Sequence, residues 1–342
     1  MDRPLDAATD ASTAEKGGAG VDGISLRLCE NPLAPLDEAV AAATAELPRS
    51  NHYTAPYSAP LRERLAERLA VPIEHLHVNA GSELILRQLV DRFGWHVHLL
   101  TPTYPLFPVI AGTYTETRLE PANDFQYDLA DLEPPEETTL VVVVNPNNPN
   151  GGAFDVEPLP GLLEAYPDTW FLVDEAFVDF ADASVAGLVP DHDNLLVTRT
   201  FSKAHSLAGF RVGYAVLPTS VAADLNRDND AYPLARPSQA AAIATLEHED
   251  RVRDRVGALR TWARQLAADL ESLGVVTYPS RTYFFLADVS PRDADDVARG
   301  LRERGVHLDP LDDDRLGPGF VRVTTATPEL NERVVEAFAA VL

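Results

Sequence analysis

Lysine is nearly absent from this sequence of 342 residues. The chain holds two, Lys16 and Lys203, and every other basic side chain is arginine or histidine. Arginine keeps its charge through the practical pH range, so a site that must offer an uncharged amine as nucleophile cannot use it in place of lysine. Lys203, in TFSKAHSLAGFR at 200–211, therefore stands out before any motif is considered. Cations of any kind are scarce: 28 Lys and Arg face 53 Asp and Glu, for a formal charge of −25. Such a surface repels phosphate backbones and anionic lipid, which argues against nucleic acid and membrane partners. The same balance suits a salt-loaded cytoplasm, where the Debye length shrinks to roughly 3 Å at 1 M salt and self-repulsion is relieved. The single cysteine, Cys29, excludes an internal disulfide and a cysteine-built metal site. The longest purely aliphatic run, LVVVV at 140–144, is far too short to span a bilayer. The first twenty residues carry neither the basic nor the apolar region of a signal peptide, so a soluble cytoplasmic protein is expected.

What is present reads as α/β. Residues 1–22, rich in Ala, Gly, Asp and Thr without periodicity, predict a disordered tail. Beyond them, helical patterns (LDEAVAAATAEL, LRERLAERLA, SELILRQLVDRF) alternate with short aliphatic runs at 96–100, 139–144, 169–173, 194–199 and 212–217. These runs lack polar alternation and predict strands buried on both faces, in a sheet covered by helices. A long helix over about 250–272 leads into a different rhythm, in which VVTY, YFFLADV and FVRVTTA alternate with helices at about 293–304 and from Pro328 to the end. The expected organisation is a large domain over 37–270 and a small α+β domain over 271–342, which the segment 23–36 joins.

Ligands in open α/β sheets sit beyond the carboxyl ends of the strands. The residues following the aliphatic runs form one set: TPTYP with Tyr104, NPNNPNG with Asn145, Asn147 and Asn148, DEAF with Asp174, and TFSK with Lys203. Taken singly these are weak, since Asn, Pro and Gly form turns for conformational reasons and an Asp at a strand end is commonly a helix cap. Taken together they match the needs of pyridoxal phosphate. Its aldehyde requires an amine, its ring nitrogen a buried carboxylate to stay protonated, and its phenolic oxygen an amide donor. The flat ring requires a stacking partner, and the phosphate a helix N-terminus with hydroxyls and a guanidinium.

The ordered series NAGSE, TPTYP, NPNNPNG, DEAF, TFSKAHSLAGFR and FVRVTTATPE resembles the fold-type I pyridoxal-phosphate enzymes, aminotransferase class I and II. Within them it looks most like the branch holding histidinol-phosphate aminotransferases and threonine-phosphate decarboxylases. The resemblance spans nearly all of 25–342. It implies the aspartate aminotransferase-like fold, with a mostly parallel seven-stranded sheet between helices and a small α+β domain. It implies amino transfer between an amino acid or amine of the histidinol-phosphate kind and a 2-oxo acid. Decarboxylation of phosphothreonine and a non-catalytic pyridoxal-phosphate sensor are the alternatives. Matching positions make Lys203 the cofactor-bearing base, Asp174 the partner of the pyridine nitrogen, Asn148 the donor to the phenolic oxygen and Tyr104 the stacking ring. Ser82, Glu83, Thr200, Ser202 and Arg211 would form the phosphate cup. Tyr53 would reach the phosphate of a neighbouring subunit in a homodimer with shared active sites, and Arg322 and Asn31 would meet the substrate. Three departures stand out. Phe177 replaces a common tyrosine, Tyr283 sits where the branch often has asparagine, and Asp309 stands where many relatives carry a phosphate-gripping arginine. An acid there should repel a phosphate, with Arg281 as a candidate for compensation.

Overall fold

The computed structural model describes residues 23–181, 184–228, 231–311 and 313–342. The tail expected over 1–22, Lys16 included, lies outside the described residues. In chain order the strands are β1 (Ile24–Ser25), β2 (Leu76–Asn79), β3 (Val97–Thr101), β4 (Tyr114–Arg118), β5 (Leu140–Val144), β6 (Trp170–Asp174), β7 (Leu195–Thr200), β8 (Gly213–Val216), β9 (Val276–Thr277), β10 (Phe284–Asp288), β11 (Val306–His307) and β12 (Phe320–Thr324). The α-helices are α1 (Asp37–Glu46), α2 (Ala59–Leu69), α3 (Ser82–Phe93), α4 (Leu106–Ala111), α5 (Leu159–Ala165), α6 (Thr219–Asp228), α7 (Arg236–Leu246), α8 (Glu249–Glu271), α9 (Ala294–Arg302) and α10 (Pro328–Ala339).

The central sheet has seven strands in the order β2-β8-β7-β6-β5-β3-β4. Neighbours are parallel except where β8 pairs with β2 and β7. The strand period of two explains the missing polar alternation. Val141 and Val143 of β5 pack into one apolar layer with α1, α2, α5 and α7, whereas Leu140, Val142 and Val144 pack into another with α3, α4 and α6. All five aliphatic runs appear as strands, β3, β5, β6, β7 and β8. The two outermost strands were not anticipated. β2 is four residues long and carries His77 and Asn79, and β4 (YTETR) is a polar edge strand with half-exposed side chains.

Beyond α8 the chain builds an antiparallel sheet, β12-β10-β9. It shares an apolar cluster with α9, α10, Leu266 and Leu270 of α8, and Ile24 and Leu26 from the start of the described chain. There β1 pairs in parallel with β11, Ile24 opposite Val306. The Asp293 side chain caps α9 by accepting from the backbone N–H groups of Asp295 and Asp296. Among the described residues no helix is long and apolar enough to cross a membrane.

Candidate active site

The reversal of β8 shapes the site. The parallel strands β3, β5, β6 and β7 deliver Tyr104, Asn148, Asp174 and Lys203 to their common carboxyl edge. Because β8 runs the other way it begins at that same edge, so Arg211 returns to it eight residues after Lys203. A cavity of about 860 Å³ opens there, lined by Ser82, Glu83, Tyr104, Asn148, Asp174, Thr200, Ser202, Lys203, Arg211 and Arg322 among others.

One end is a cradle for an anion. Ser82 opens the twelve-residue helix α3, whose N-terminal N–H groups carry partial positive charge. The Arg211 guanidinium lies over Gly81, where a Cβ would come within 2.6 Å of its Nη2 and where the backbone takes φ +89. Gly213 allows still closer packing, since a Cβ there would stand 2.1 Å from the Ser82 amide nitrogen. Thr200 Oγ1 lies 2.9 Å from Ser202 Oγ and accepts from the Ser202 amide at 3.1 Å. Two hydroxyls, a guanidinium and a helix start thus meet where only glycine permits the approach.

Asp174 ends β6, is buried, and stands opposite Thr198 in the β6–β7 register. Its Oδ1 accepts from Thr198 Oγ1 at 3.2 Å and from the Ala176 amide at 3.2 Å. Burial pushes its carboxyl up to about 7 despite these two bonds, with the adjacent Glu175 adding to the rise and Lys203 opposing it. Glu175 points to the other side of the strand, where Arg199 Nε meets its Oε2 at 2.7 Å. A cation entering the cavity beside Asp174 would restore the carboxylate.

Lys203 Nζ donates to the carbonyls of Leu28 and Cys29, each at 3.1 Å, and lies 5.5 Å from the centre of the Phe177 ring. Desolvation lowers its pKa, an effect that Arg322 and Arg211 reinforce and Cys29 and Glu30 oppose. Phe177 offers no hydrogen bond where a tyrosine would, and packs instead against Phe284 with centroids 4.9 Å apart. Tyr283 is fully buried and donates its hydroxyl to the Cys29 carbonyl, so it braces the lysine's acceptor and does not line the cavity. Burial, together with Glu83 and Asp174, pushes the Tyr104 phenol up to about 12, so it is neutral across the working range.

Arg322, on β12, donates from Nη1 to Asn148 Oδ1 at 2.7 Å and from Nη2 to the Arg27 carbonyl. Its Nε is buried with no hydrogen-bond partner among the described residues. Asp309 is not the bare acid that the sequence suggested. Both its carboxylate oxygens accept from Arg27 Nε, at 2.8 and 2.7 Å. Arg281 does not compensate it, because Arg281 lines two grooves apart from this cavity. Arg315 also lines the cavity, with Nε on Glu116, Nη1 on Asp313 and Nη2 on the Tyr114 hydroxyl.

Two expected site residues lie outside the cavity lining. Tyr53 is 78% exposed and stacks on Tyr232 with centroids 4.5 Å apart. Asn31 donates to the backbone carbonyl of Lys203 at 3.0 Å, which ties it to the lysine loop. The sequence reading missed Arg27, Arg315 and the Leu28–Cys29 carbonyls. Arginines on short polar segments carry no motif, and a carbonyl's role depends on a backbone path that residue types do not encode.

A family model described as aminotransferase class I and II matches residues 22–338. A histidinol-phosphate aminotransferase of Acinetobacter baumannii is 31% identical over 325 residues, covering 92% of this chain and 89% of that protein. The crystal structure of histidinol-phosphate aminotransferase from Sinorhizobium meliloti in complex with pyridoxal-5'-phosphate matches with a TM-score of 0.84 at 22% identity, covering 99% of this chain and 98% of that one. L-threonine-O-3-phosphate decarboxylase from Porphyromonas gingivalis matches with a TM-score of 0.81 at 22% identity, covering 93% and 98%. At that identity the two structures speak for the fold.

Proposed function

The chain belongs to the aminotransferase class I and II family, and from that premise we propose that its cavity holds pyridoxal phosphate and moves an amino group between an amino acid or amine and a 2-oxo acid. The observation that carries the reading is the convergence of Lys203, Asp174 and the glycine-cradled anion site in one cavity. When bound, pyridoxal phosphate supplies an aldehyde and an aromatic ring that draws electrons from the substrate's α-carbon.

The chain's own residues do the rest. The cradle of Ser82, Thr200, Ser202 and Arg211 would hold the phosphate, and Asp174, whose Oδ1 accepts from both Thr198 and Ala176, would pair as a carboxylate with the ring nitrogen. Tyr104 supplies the stacking face and Asn148 the amide beside the phenolic oxygen. Burial makes the Lys203 amine easier to deprotonate, so Nζ would serve as the amine that holds the cofactor and as the group that takes and returns the donor's proton. Arg322, which lines the cavity, would meet an anionic group of the substrate. We further propose a cytoplasmic homodimer. Tyr53, exposed and outside the lining of its own chain's cavity, suits a role in the partner's phosphate site.

Borohydride reduction of the holoenzyme and peptide mapping should place the label on Lys203. Spectra with amino donors should show conversion to the pyridoxamine form, and pyruvate or 2-oxoglutarate should reverse it. Label elsewhere, or CO2 release from phosphothreonine without amino transfer, would overturn the reading.

A further inference from the structure

Besides Arg211 of the anion cradle, three arginines line the cavity, and they are engaged to different degrees. Arg315 has all three guanidinium nitrogens occupied, by Glu116, Asp313 and Tyr114. Arg322 has both terminal nitrogens occupied, by Asn148 and the Arg27 carbonyl. Arg27 differs. Its carboxylate partner, Asp309, takes Nε alone, and among the described residues the hydrogen bonds of the Arg27 side chain all run through that nitrogen. The terminal pair Nη1 and Nη2 is left for something else, and Arg27 lines the cavity.

A carboxylate on Nε fixes the plane of the guanidinium while leaving the terminal N–H groups to donate. The planar fork donates best to two oxygens of one carboxylate or phosphate. We propose that Arg27 is a specificity-determining residue that grips an anionic group on the amino donor distal to its reacting amine, and that Asp309 is a positioning residue that aims Arg27. The cation absent at position 309 is thereby supplied from the N-terminal segment. Backbone geometry ties this grip to the other anchor, because the carbonyl of Arg27 accepts from Arg322. The inference rests on the aminotransferase reading and narrows its donor to amino compounds bearing an anionic group distal to the amine, a phosphate monoester or a carboxylate.

The test measures Kd by calorimetry, and kcat and KM for the half-reaction, on the holoenzyme with three donors: histidinol phosphate, histidinol and glutamate. Arg27→Gln should raise Kd and KM about 10- to 100-fold for whichever anionic donor the enzyme prefers, the loss of two charge-assisted bonds. It should leave kcat within about threefold and histidinol unaffected, with Arg27→Lys recovering part of the affinity. Histidinol phosphate and glutamate separate the phosphate from the carboxylate source. Asp309→Asn supplies the sign that decides the matter. As a positioning residue Asp309 should, when neutralised, leave the anionic donor bound more weakly by a few-fold. If it merely repels anions, the same change tightens binding, and that result overturns the proposal. So does an Arg27→Gln enzyme whose preference for anionic over neutral donors stays within twofold of wild type. Failure of all donors to convert, with the Kd pattern intact, would count against amino transfer and not against the grip.

Discussion

Thr198 donates to Asp174 Oδ1 at 3.2 Å, across the pair of strands that also joins Glu175 to Arg199 at 2.7 Å. The hydroxyl stabilises the carboxylate form of a group that burial already pushes up to about 7. Thr198→Val should therefore raise Asp174 further, by about one pH unit for the loss of one charge-assisted bond. Near neutral pH more of the protein then carries a neutral acid beside the ring nitrogen. A spectrophotometric titration with pyridoxal phosphate at pH 7 should show roughly fivefold weaker binding, and an unchanged affinity would show that Asp174 does not pair with the ring.

The same carboxyl makes the cofactor-free protein sensitive to pH. Its folded pKa is about 7 against an ordinary 3.8, so the folded chain binds the proton more tightly than the unfolded one. Stability from this group is present at low pH, falls as pH rises between those values, and levels off above about 7. Asp174→Asn cannot ionise, so it should make the cofactor-free protein more stable than wild type at pH 8, by about 1–3 kcal/mol, with the gain vanishing toward pH 4. Denaturant melts at the two pH values check this.

Lys203→Arg keeps a cation on the same backbone but loses the neutral amine. Half-reaction rates should fall by about 10³-fold or more, in line with removal of a nucleophile and proton carrier. The protein should remain folded by circular dichroism. An arginine enzyme with more than about a hundredth of wild-type activity would remove Lys203 from the chemistry.

Two glycine-to-alanine changes should act in opposite directions. At Gly213 the new Cβ meets backbone, 2.1 Å from the Ser82 nitrogen, so the start of α3 must move and cofactor retention should drop by about tenfold or more. Gly257, inside α8, has nothing within 4 Å of its added Cβ, and alanine there should stabilise by about 0.5–1 kcal/mol without touching the cofactor. Dialysis against cofactor-free buffer and thermal melts distinguish the two.

The net charge of −25 predicts a salt requirement. Raising KCl from 0.1 to 3 M shortens the Debye length from about 10 Å to below 3 Å, and Tm should climb by roughly 5 °C or more. A Tm that is flat or falling across that range would mark the acid excess as neutral to stability.

Much of this architecture was legible in the chain. A buried parallel strand is a run of Val, Ile or Leu, so β3, β5, β6 and β7 announced themselves, and the residues just past them lie along the cavity because parallel strands share a carboxyl edge. Where a side chain's role depends on a partner distant in sequence, the pattern fell silent. Asp309 read as a bare acid because Arg27 lies 282 residues away. Asn31 read as a ligand contact, and the tie of its amide to the Lys203 backbone went unseen. β4 and β2 escaped notice because edge and polar strands need no continuous apolar run.

The two carbonyls holding the Lys203 amine belong to a segment whose start is stitched, through Ile24 and Val306, to the C-terminal sheet, while the lysine itself springs from the central one. The amine is thus wired across the seam between the two halves of the molecule. Arg322 reaches the same segment, since its Nη2 donates to the carbonyl of Arg27, the residue just before the Leu28 and Cys29 carbonyls that hold the amine. Three successive peptide carbonyls, those of Arg27, Leu28 and Cys29, thus carry the attachments of both a cavity arginine and the lysine amine.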